Sequence, residues 1–428
     1  MSGLDPTFVD LPFRSLGDAA LSRARELGVS HAEFRFERVR HQSLSVRDGV
    51  LQNASDNEDL GFAVRVIHRG SWGFASGVVL TPDEAVRVTE TAVAVAGVAA
   101  EMTSVPVEIA DEPVYADVTW VSAYEINPLE VSVREKSALL IDWTERLRTG
   151  AAVDHARAFC EQVQENKYYA DLAGTVTTQQ RVRLMPGFEA MGSGADTFDS
   201  MASIAPPAGR GWEYLRGVAD GGVYDWDEEI DQVPELLAEK LKAPSVEAGT
   251  YDLVIHPSNL WLTIHESIGH ATELDRALGY EANYAGTSFA TPDLLGSLQY
   301  GSPVMHVTGD RTVEHGLATV GYDDEGVAAQ SWDIVKDGLF VGYQLDRPMG
   351  VMLPELNQLD GKGRSNGCAY ADSPGHIAIQ RMANVSLQPS TEPDGGPSTE
   401  ELISRVEDGL YVVGDKSWSA TSSIVRWG

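Results

Sequence analysis

Two histidines and a glutamate past the middle of the chain have side chains suited to holding a metal ion. The stretch WLTIHESIGHATELD contains His265, Glu266 and His270 in the spacing H-E-x-x-x-H. The related spacing H-E-x-x-H places two imidazoles on one face of a helix and binds zinc. Five residues along a straight α-helix instead separate two side chains by about 140°. Both histidines therefore reach one ion only if the helix contains a π-type turn or breaks at Gly269.

These residue types are suited to metal-assisted hydrolysis. The neutral imidazoles of His265 and His270 suit zinc, and Glu266 beside them can accept a proton from water as a general base. A catalytic zinc also needs a third protein ligand. Glu273 and Asp275 follow on the same segment and are candidates for a ligand, for substrate binding or for orienting the ligands. The spacing alone is a weak signal, and by itself it favours two ordinary helix histidines.

The composition restricts the class of protein and its partners. The chain has 428 residues, 43% of them hydrophobic, and a formal net charge of -32 at pH 7. This length favours two domains, and this charge repels phosphate backbones and anionic membranes, so we expect neither nucleic acid nor membrane as a partner. The chain has two cysteines, no signal-peptide pattern and no apolar run that would span a bilayer. We therefore expect a soluble protein of the cytoplasm.

Hydrophobic periodicity predicts an α+β fold with largely antiparallel sheets and helices packed against them. A helix over residues 14–28 precedes alternating runs that a turn at Asp48-Gly49 joins into a hairpin, and Thr81 is the N-cap of the next helix. A helix over residues 129–148 and two long strands over residues 155–190 follow. The Gly- and Pro-rich segment from residue 187 to 222 predicts a long loop.

A domain boundary is expected near residues 243–250, which divides the chain into domains 1–243 and 244–428. The histidine-bearing helix lies in the second domain, after a short apolar strand that ends before Pro257, with Ser258 or Asn259 as its N-cap. The acidic stretch YDDEG, also in this domain, could bind a cation or a substrate amine, or form a solvated turn. Cys160 lies in a predicted strand and is expected to be a small buried residue.

Beyond its histidines, the sequence resembles the TldD/PmbA family of metallopeptidases, once called modulators of DNA gyrase. The resemblance rests on HESIGHATELD, on DGVLQNASDNEDLGFAVRVI with GFASG, and on AGTSFA, GYDDEG, VKDGLFVGYQLDR, RMANVSLQPS and VEDGLYVVGDKSW in order. It implies a two-domain fold whose C-terminal domain is a zinc-dependent peptidase acting on peptides or unfolded protein segments. It also implies that His265 and His270 bind the metal and that Glu266 is the general base. Assembly into a homo-oligomer, or a hetero-oligomer with a PmbA-like paralogue, is a further implication.

The third ligand is where this sequence departs from the family pattern. Family members supply a cysteine from a Gly-rich segment near their C-terminus, and this sequence stops before such a segment, so we expect the C-terminal domain to be incomplete. Cys368 aligns with a different stretch of the family. Glu273, Cys368 or water therefore remain as alternatives for completing the site.

Two other functions are compatible with parts of the sequence. A non-catalytic binding or assembly subunit of a TldD/PmbA-type complex is favoured by the missing cysteine and disfavoured by the intact H-E-x-x-x-H. A DNA-associated regulator rests only on the older family name, and the net charge of -32 argues against direct DNA binding.

Overall fold

Helices and mostly antiparallel sheets are mixed along the chain, as a computed structural model shows for residues 3–195, 197–283, 286–390 and 396–415. This confirms the predicted α+β class. The helices are α1 Pro6–Val9, α2 Phe13–Glu26, α3 Pro82–Ala100, α4 Val133–Leu147, α5 Trp226–Lys240, α6 Pro257–Ile264, α7 Leu274–Ala277, α8 Arg347–Met352 and α9 Thr399–Ser404. None of the helices in these ranges is both long and apolar enough to cross a membrane.

The strands fall into one large sheet, one smaller sheet and several short pairs. They are β1 His31–Arg47, β2 Val50–His68, β3 Ser71–Gly77, β4 Val118–Val121, β5 His155–Asp171, β6 Val176–Ser193, β7 Phe198–Ala202, β8 Asp252–Ile255, β9 Val307–Asp310, β10 Ser331–Lys336, β11 Leu339–Phe340, β12 Gln358–Leu359, β13 Lys362–Gly363, β14 Ala369–Tyr370, β15 Ile379–Gln380, β16 Asn384–Leu387 and β17 Gly409–Val412.

The first half of the chain forms the large sheet. Its strand order is β3-β2-β1-β5-β6-β4, and β7 pairs with the end of β6. The long strands β1 and β2 are joined by a two-residue turn in which Asp48 and Gly49 have φ values of 52° and 78°. Positive φ at both positions is the hairpin geometry that an Asp-Gly pair favours, so the predicted hairpin is confirmed.

Helices cover one face of this sheet with two apolar cores. Phe34 and Phe36 of β1 point into the core under α2 and α3. Further along the same strand, Leu44 lies in a second core under α4 and α5. Cys160 of β5 pairs with Leu44 across the sheet and is fully buried in this second core, as predicted for a small apolar side chain.

The opposite face of the sheet is charged, and it is buried because the second half of the chain packs on it. Arg65 of β2 donates hydrogen bonds of 2.6 Å to Glu33 of β1 and to Glu325 of the YDDEG turn. Lys167 of β5 donates a hydrogen bond of 2.7 Å to Asp324 of the same turn. The interpretation of YDDEG as a solvated turn is therefore wrong, because its carboxylates are buried against the sheet's own cations.

The second half of the chain holds the smaller sheet and the histidine-bearing helix. The small sheet has the order β11-β10-β9-β16, and β8 forms a separate parallel pair with β17. Ile268, just after α6, packs with Val307 of β9 and with Ile334 and Val335 of β10, which anchors the histidine segment on this sheet. The predicted boundary after residue 243 falls between α5 and β8, and its position stays a prediction.

Candidate metal centre

The histidine segment leaves α-helical geometry where the H-E-x-x-x-H spacing requires it. α6 ends at Ile264, and residues His265–Gly269 form a π-helical turn in which the N–H of His270 donates to the carbonyl of His265. The wider turn brings both imidazoles to one side, with ring centroids 4.5 Å apart and ring planes at 83°. Of the two distortions that the spacing allowed, a π-type turn or a break at Gly269, the structure has the π-type turn.

Side chains from outside the turn satisfy three of its carbonyl groups. Tyr300 donates its hydroxyl to the carbonyl of Ser267, and Thr272 donates to that of Ile268 at 2.8 Å. Gln344 donates to the carbonyl of Gly269 at 2.6 Å. A buried carbonyl without a partner destabilises a fold, so these contacts stabilise the π turn against the regular helix.

Gly269 lies at a close contact between the turn and the segment before β16. A Cβ atom at this position would lie 2.4 Å from the sulfur of Met382. The next residue, Ala383, donates its N–H to the side-chain oxygen of Gln344 at 2.7 Å. Gln344 is fully buried and thus links the carbonyl of Gly269 to the backbone of Ala383.

His265, Glu266 and His270 together form a set of donors that a metal ion could bind. One ligand atom of each lies within 4.8 Å of the others, and within the described residues no second set of this kind occurs. The side chains of His265 and Glu266 are 42% and 36% exposed, so solvent and substrate can reach them. Burial and then the neighbouring His270 lower the pKa of His265, which favours the neutral imidazole that a metal ion requires.

Glu273 lies behind His270 and fixes the orientation of its ring. Its Oε2 is 2.8 Å from Nδ1 of His270 and 3.2 Å from the guanidinium of Arg276. With Nδ1 engaged in this way, Nε2 is the ring nitrogen left to bind a metal ion. Two imidazoles beside a carboxylate, one of them held by a buried acid, are donors that fit zinc.

The other candidate residues lie outside the donor set. Asp275 is buried, and its carboxylate accepts the N–H of Arg276 at 2.7 Å. Burial, followed by the charges of Glu273 and Glu281, raises the pKa of Asp275 to about 7. Cys368 is fully buried, and burial raises the pKa of its thiol to about 12, so it is not a thiolate at neutral pH.

Comparison with known proteins identifies the family. Residues 32–96 match the family model of the PmbA/TldA metallopeptidase domain 1, and residues 248–424 match that of the PmbA/TldA metallopeptidase C-terminal domain. The two matches together cover more than half of the chain. The chain belongs to the TldD/PmbA metallopeptidase family.

Curated relatives of this TldD/PmbA protein are similar along most of their length. A metalloprotease of Methanocaldococcus jannaschii is 24% identical over 92% of this chain and 80% of the relative. A protein named zinc metalloprotease TldD homolog, from Saccharolobus solfataricus, is 20% identical over 92% of this chain and 79% of the relative. The second name includes zinc, which agrees with the donors found here.

Solved structures share the fold of this TldD/PmbA chain. A putative modulator of a DNA gyrase from Thermotoga maritima has a TM-score of 0.71 at 16% identity and covers 94% of this chain and 82% of its own. TldE from Thermococcus kodakarensis has a TM-score of 0.67 at 16% identity and covers 94% of this chain and 83% of its own. At these identities the similarity concerns the fold alone.

Sequence reasoning did not find three residues that shape the site of this TldD/PmbA protein. Tyr300 and Gln344 hold the π turn from distant parts of the chain, and no local pattern marks them. Arg276 was detectable, because it lies three residues after Glu273, a spacing at which helical side chains of opposite charge meet.

Proposed function

We propose that this protein is a zinc-dependent peptidase that hydrolyses peptides or unfolded protein segments. His265 and His270 would bind the ion, and Glu266 would act as the general base. The observation that carries the proposal is the π turn, which gathers these three side chains at a partly exposed position. A turn of this kind is frequent at functional sites, because it is less stable than regular helix unless other groups stabilise it.

Each of the proposed site residues has a separate role in hydrolysis. When bound, zinc acts as a Lewis acid towards the substrate carbonyl and lowers the pKa of water. Glu266 accepts the proton that water releases and later donates it to the leaving amine. Glu273 would accept a hydrogen bond from Nδ1–H of His270, which holds the ring in place and leaves Nε2 with its lone pair for the metal.

Among the alternatives for completing the site, water fits the open position of the metal, which is separate from the third protein ligand that a catalytic zinc also needs. Glu273 already contacts His270 and Arg276, and Cys368 is a buried neutral thiol outside the donor set. The exposed side of His265 leaves room for solvent and for a substrate carbonyl. An open position of this kind is what a catalytic zinc site requires.

The assembly is proposed from the family. Membership of the family is the ground for proposing a homo-oligomer, or a hetero-oligomer with a PmbA-like paralogue. Nucleic acid is not proposed as a partner, because a net charge of -32 disfavours it.

The first experiment measures the metal content of the purified chain by elemental analysis, beside the variants His265→Ala and His270→Ala. We expect roughly one zinc ion per chain, lost in both variants, because each imidazole is a proposed ligand of the ion. His306→Ala is a matched control, since this histidine lies near Asp337 and outside the donor set. A wild-type chain that binds no metal after incubation with zinc would instead support the non-catalytic assembly subunit.

A further inference from the structure

A small cavity lies between the charged face of the large sheet and the YDDEG turn. The space that the centre of a water-sized sphere can occupy is about 20 Å³. This is enough for one water molecule or one small ion. The partly exposed side chains of Trp120, Val320 and Tyr322 form its rim. Three cations and three carboxylates line it: Lys167, Arg181, Arg311, Glu165, Asp323 and Asp324.

Two of the three cations have partners of opposite charge. Lys167 lies 2.7 Å from the carboxylate of Asp324. Arg181 donates from Nε to Glu165 at 2.8 Å and makes a second contact with the same carboxylate. These pairs account for four of the six charges and leave Arg311 and Asp323.

Arg311 makes no ion pair with any described residue, although the carboxyl groups of Asp323 and Asp324 are near enough to act on its charge. It directly follows β9, is 2% exposed, and its guanidinium makes no hydrogen bond or ion pair with any residue that the structure describes. An arginine does not lose its proton in proteins. A buried charge without a partner is strongly destabilising. We therefore expect a negatively charged group or ion to lie beside Arg311 in the cavity.

Asp323 does not form an ion pair with Arg311, because its carboxyl group is held by the backbone. Its two carboxylate oxygens accept the N–H groups of Glu325, Val327 and Ala369 at 2.9, 2.9 and 3.0 Å. Burial, and then the charge of Glu325, raise the pKa of Asp323 to about 8, which favours its neutral form at pH 7. The nearby thiol of Cys368 is neutral as well, because burial raises its pKa to about 12.

We propose that the cavity binds a small monovalent anion of the chloride class, held by the guanidinium of Arg311. The cavity has room for one such ion. The carboxylates of Glu165 and Asp324 in the lining disfavour an anion of higher charge. The bound ion stabilises the contact between the small sheet, which carries Arg311, and the large sheet.

The test compares thermal unfolding of the full chain in sodium chloride, sodium bromide and sodium gluconate at one ionic strength. We expect chloride and bromide to raise the midpoint relative to gluconate, which is too large to enter. With the halide tenfold above its dissociation constant, the folding equilibrium constant should rise about tenfold. The variant Arg311→Met keeps the length of the side chain without its charge and should lose this dependence.

Arg87→Gln is the matched control, because this exposed arginine of α3 lies far from the cavity and should keep the halide response. A wild-type midpoint that is equal in chloride and gluconate would show that the cavity holds only water and overturn the proposal. A halide response that persists in Arg311→Met would also overturn it. If that variant does not fold, anomalous diffraction from wild-type crystals soaked in bromide decides, since a bromide peak must lie beside Arg311.

Discussion

Glu266 is close enough to the imidazoles to serve either as a ligand or as a proton acceptor. Its Oε1 is 3.8 Å from Nε2 of His265, and its side chain is 36% exposed. A ligand must contact the ion directly, whereas a general base needs to reach only the water beside it. Glutamate and glutamine have the same shape and differ in basicity, so one substitution separates the two roles.

Glu266→Gln should keep zinc and lose hydrolysis. We expect kcat on a peptide substrate to fall by about 10²–10⁴-fold, the usual contribution of a general base. Glu314→Gln, an exposed glutamate outside the donor set, is the control and should leave both zinc and kcat unchanged. Loss of zinc in the Glu266 variant would show that the carboxylate is a ligand, and undiminished kcat would rule out the base.

Glu273 acts on the metal through His270 in this structure. Its carboxylate is 1% exposed and lies 2.8 Å from Nδ1 of the ring. Glu273→Gln should therefore weaken zinc binding by roughly 10–100-fold, the usual effect of removing a group that orients a ligand. Competition with a chelator measures the affinity. A complete loss of zinc, equal to that of His270→Ala, would mean that Glu273 binds the ion directly.

The π turn between α6 and α7 depends on groups that lie far away in the sequence. The side-chain amide of Gln344 donates its N–H to the carbonyl of Gly269, and its oxygen accepts the N–H of Ala383. Because all three are buried or nearly so, water cannot replace the amide when it is removed. The position of the two imidazoles is thus coupled to a residue that touches neither of them.

Gln344→Met should destabilise the fold and weaken zinc binding together. Methionine fills a similar volume but leaves two buried backbone groups without partners, at a cost of about 1–3 kcal/mol each. Urea unfolding and zinc competition measure the two effects. Gln388→Met is the control, because Gln388 is exposed and its amide bonds to Thr308 instead. Wild-type zinc affinity in the destabilised Gln344 variant would show that Tyr300 and Thr272 hold the turn alone.

The elements that local rules predict are those whose ends are set by their own residues. The helix after Thr81 begins as predicted, because the Thr81 hydroxyl accepts the N–H of Glu84. The cap of α6 was predicted wrongly: Nδ1 of His256 accepts the N–H of Ser258, and Pro257 is the first helical residue. An imidazole can cap a helix as an oxygen does, but the usual cap preferences do not include it.

The features that local sequence rules do not predict are those that depend on residues distant in the sequence. Residues 187–193 continue strand β6 instead of forming a loop, because β5 and β7 pair with them on the two sides. The need for a distorted helix followed from the histidine spacing, but the groups that stabilise the π turn did not. The burial of YDDEG could not be predicted from local sequence either, because its acids pair with cations that lie 157 and 260 residues away in the sequence.

Charge is distributed unevenly between the interior and the surface of the molecule. Arg65, Lys167 and Arg181 are buried on the charged face of the large sheet, where each contacts one or two acids. The two halves of the chain therefore meet through ion pairs as well as through apolar contacts. Removing one partner from such a pair is costly, because the remaining charge stays buried. The stability of the whole fold should accordingly depend on the ionisation of these acids.

Acid should unfold the protein through this interface, and Glu33 is the residue that tests it. Burial is the largest single effect on Glu33 and opposes its ionisation, but Arg65 and His31 together outweigh burial and lower the pKa from 4.5 to about 2. A carboxyl group whose pKa is lower in the folded state adds stability above its unfolded pKa and loses it as the pH falls towards the folded value.

The free energy of unfolding in urea should thus decline between about pH 4.5 and pH 2. The variant Glu33→Gln should be less stable than wild type at pH 7, but its free energy of unfolding should decline less steeply with falling pH. Glu401→Gln, which removes an exposed partner of Arg405, should follow the wild-type curve. Parallel curves for Glu33→Gln and wild type would show that this ion pair does not govern acid unfolding.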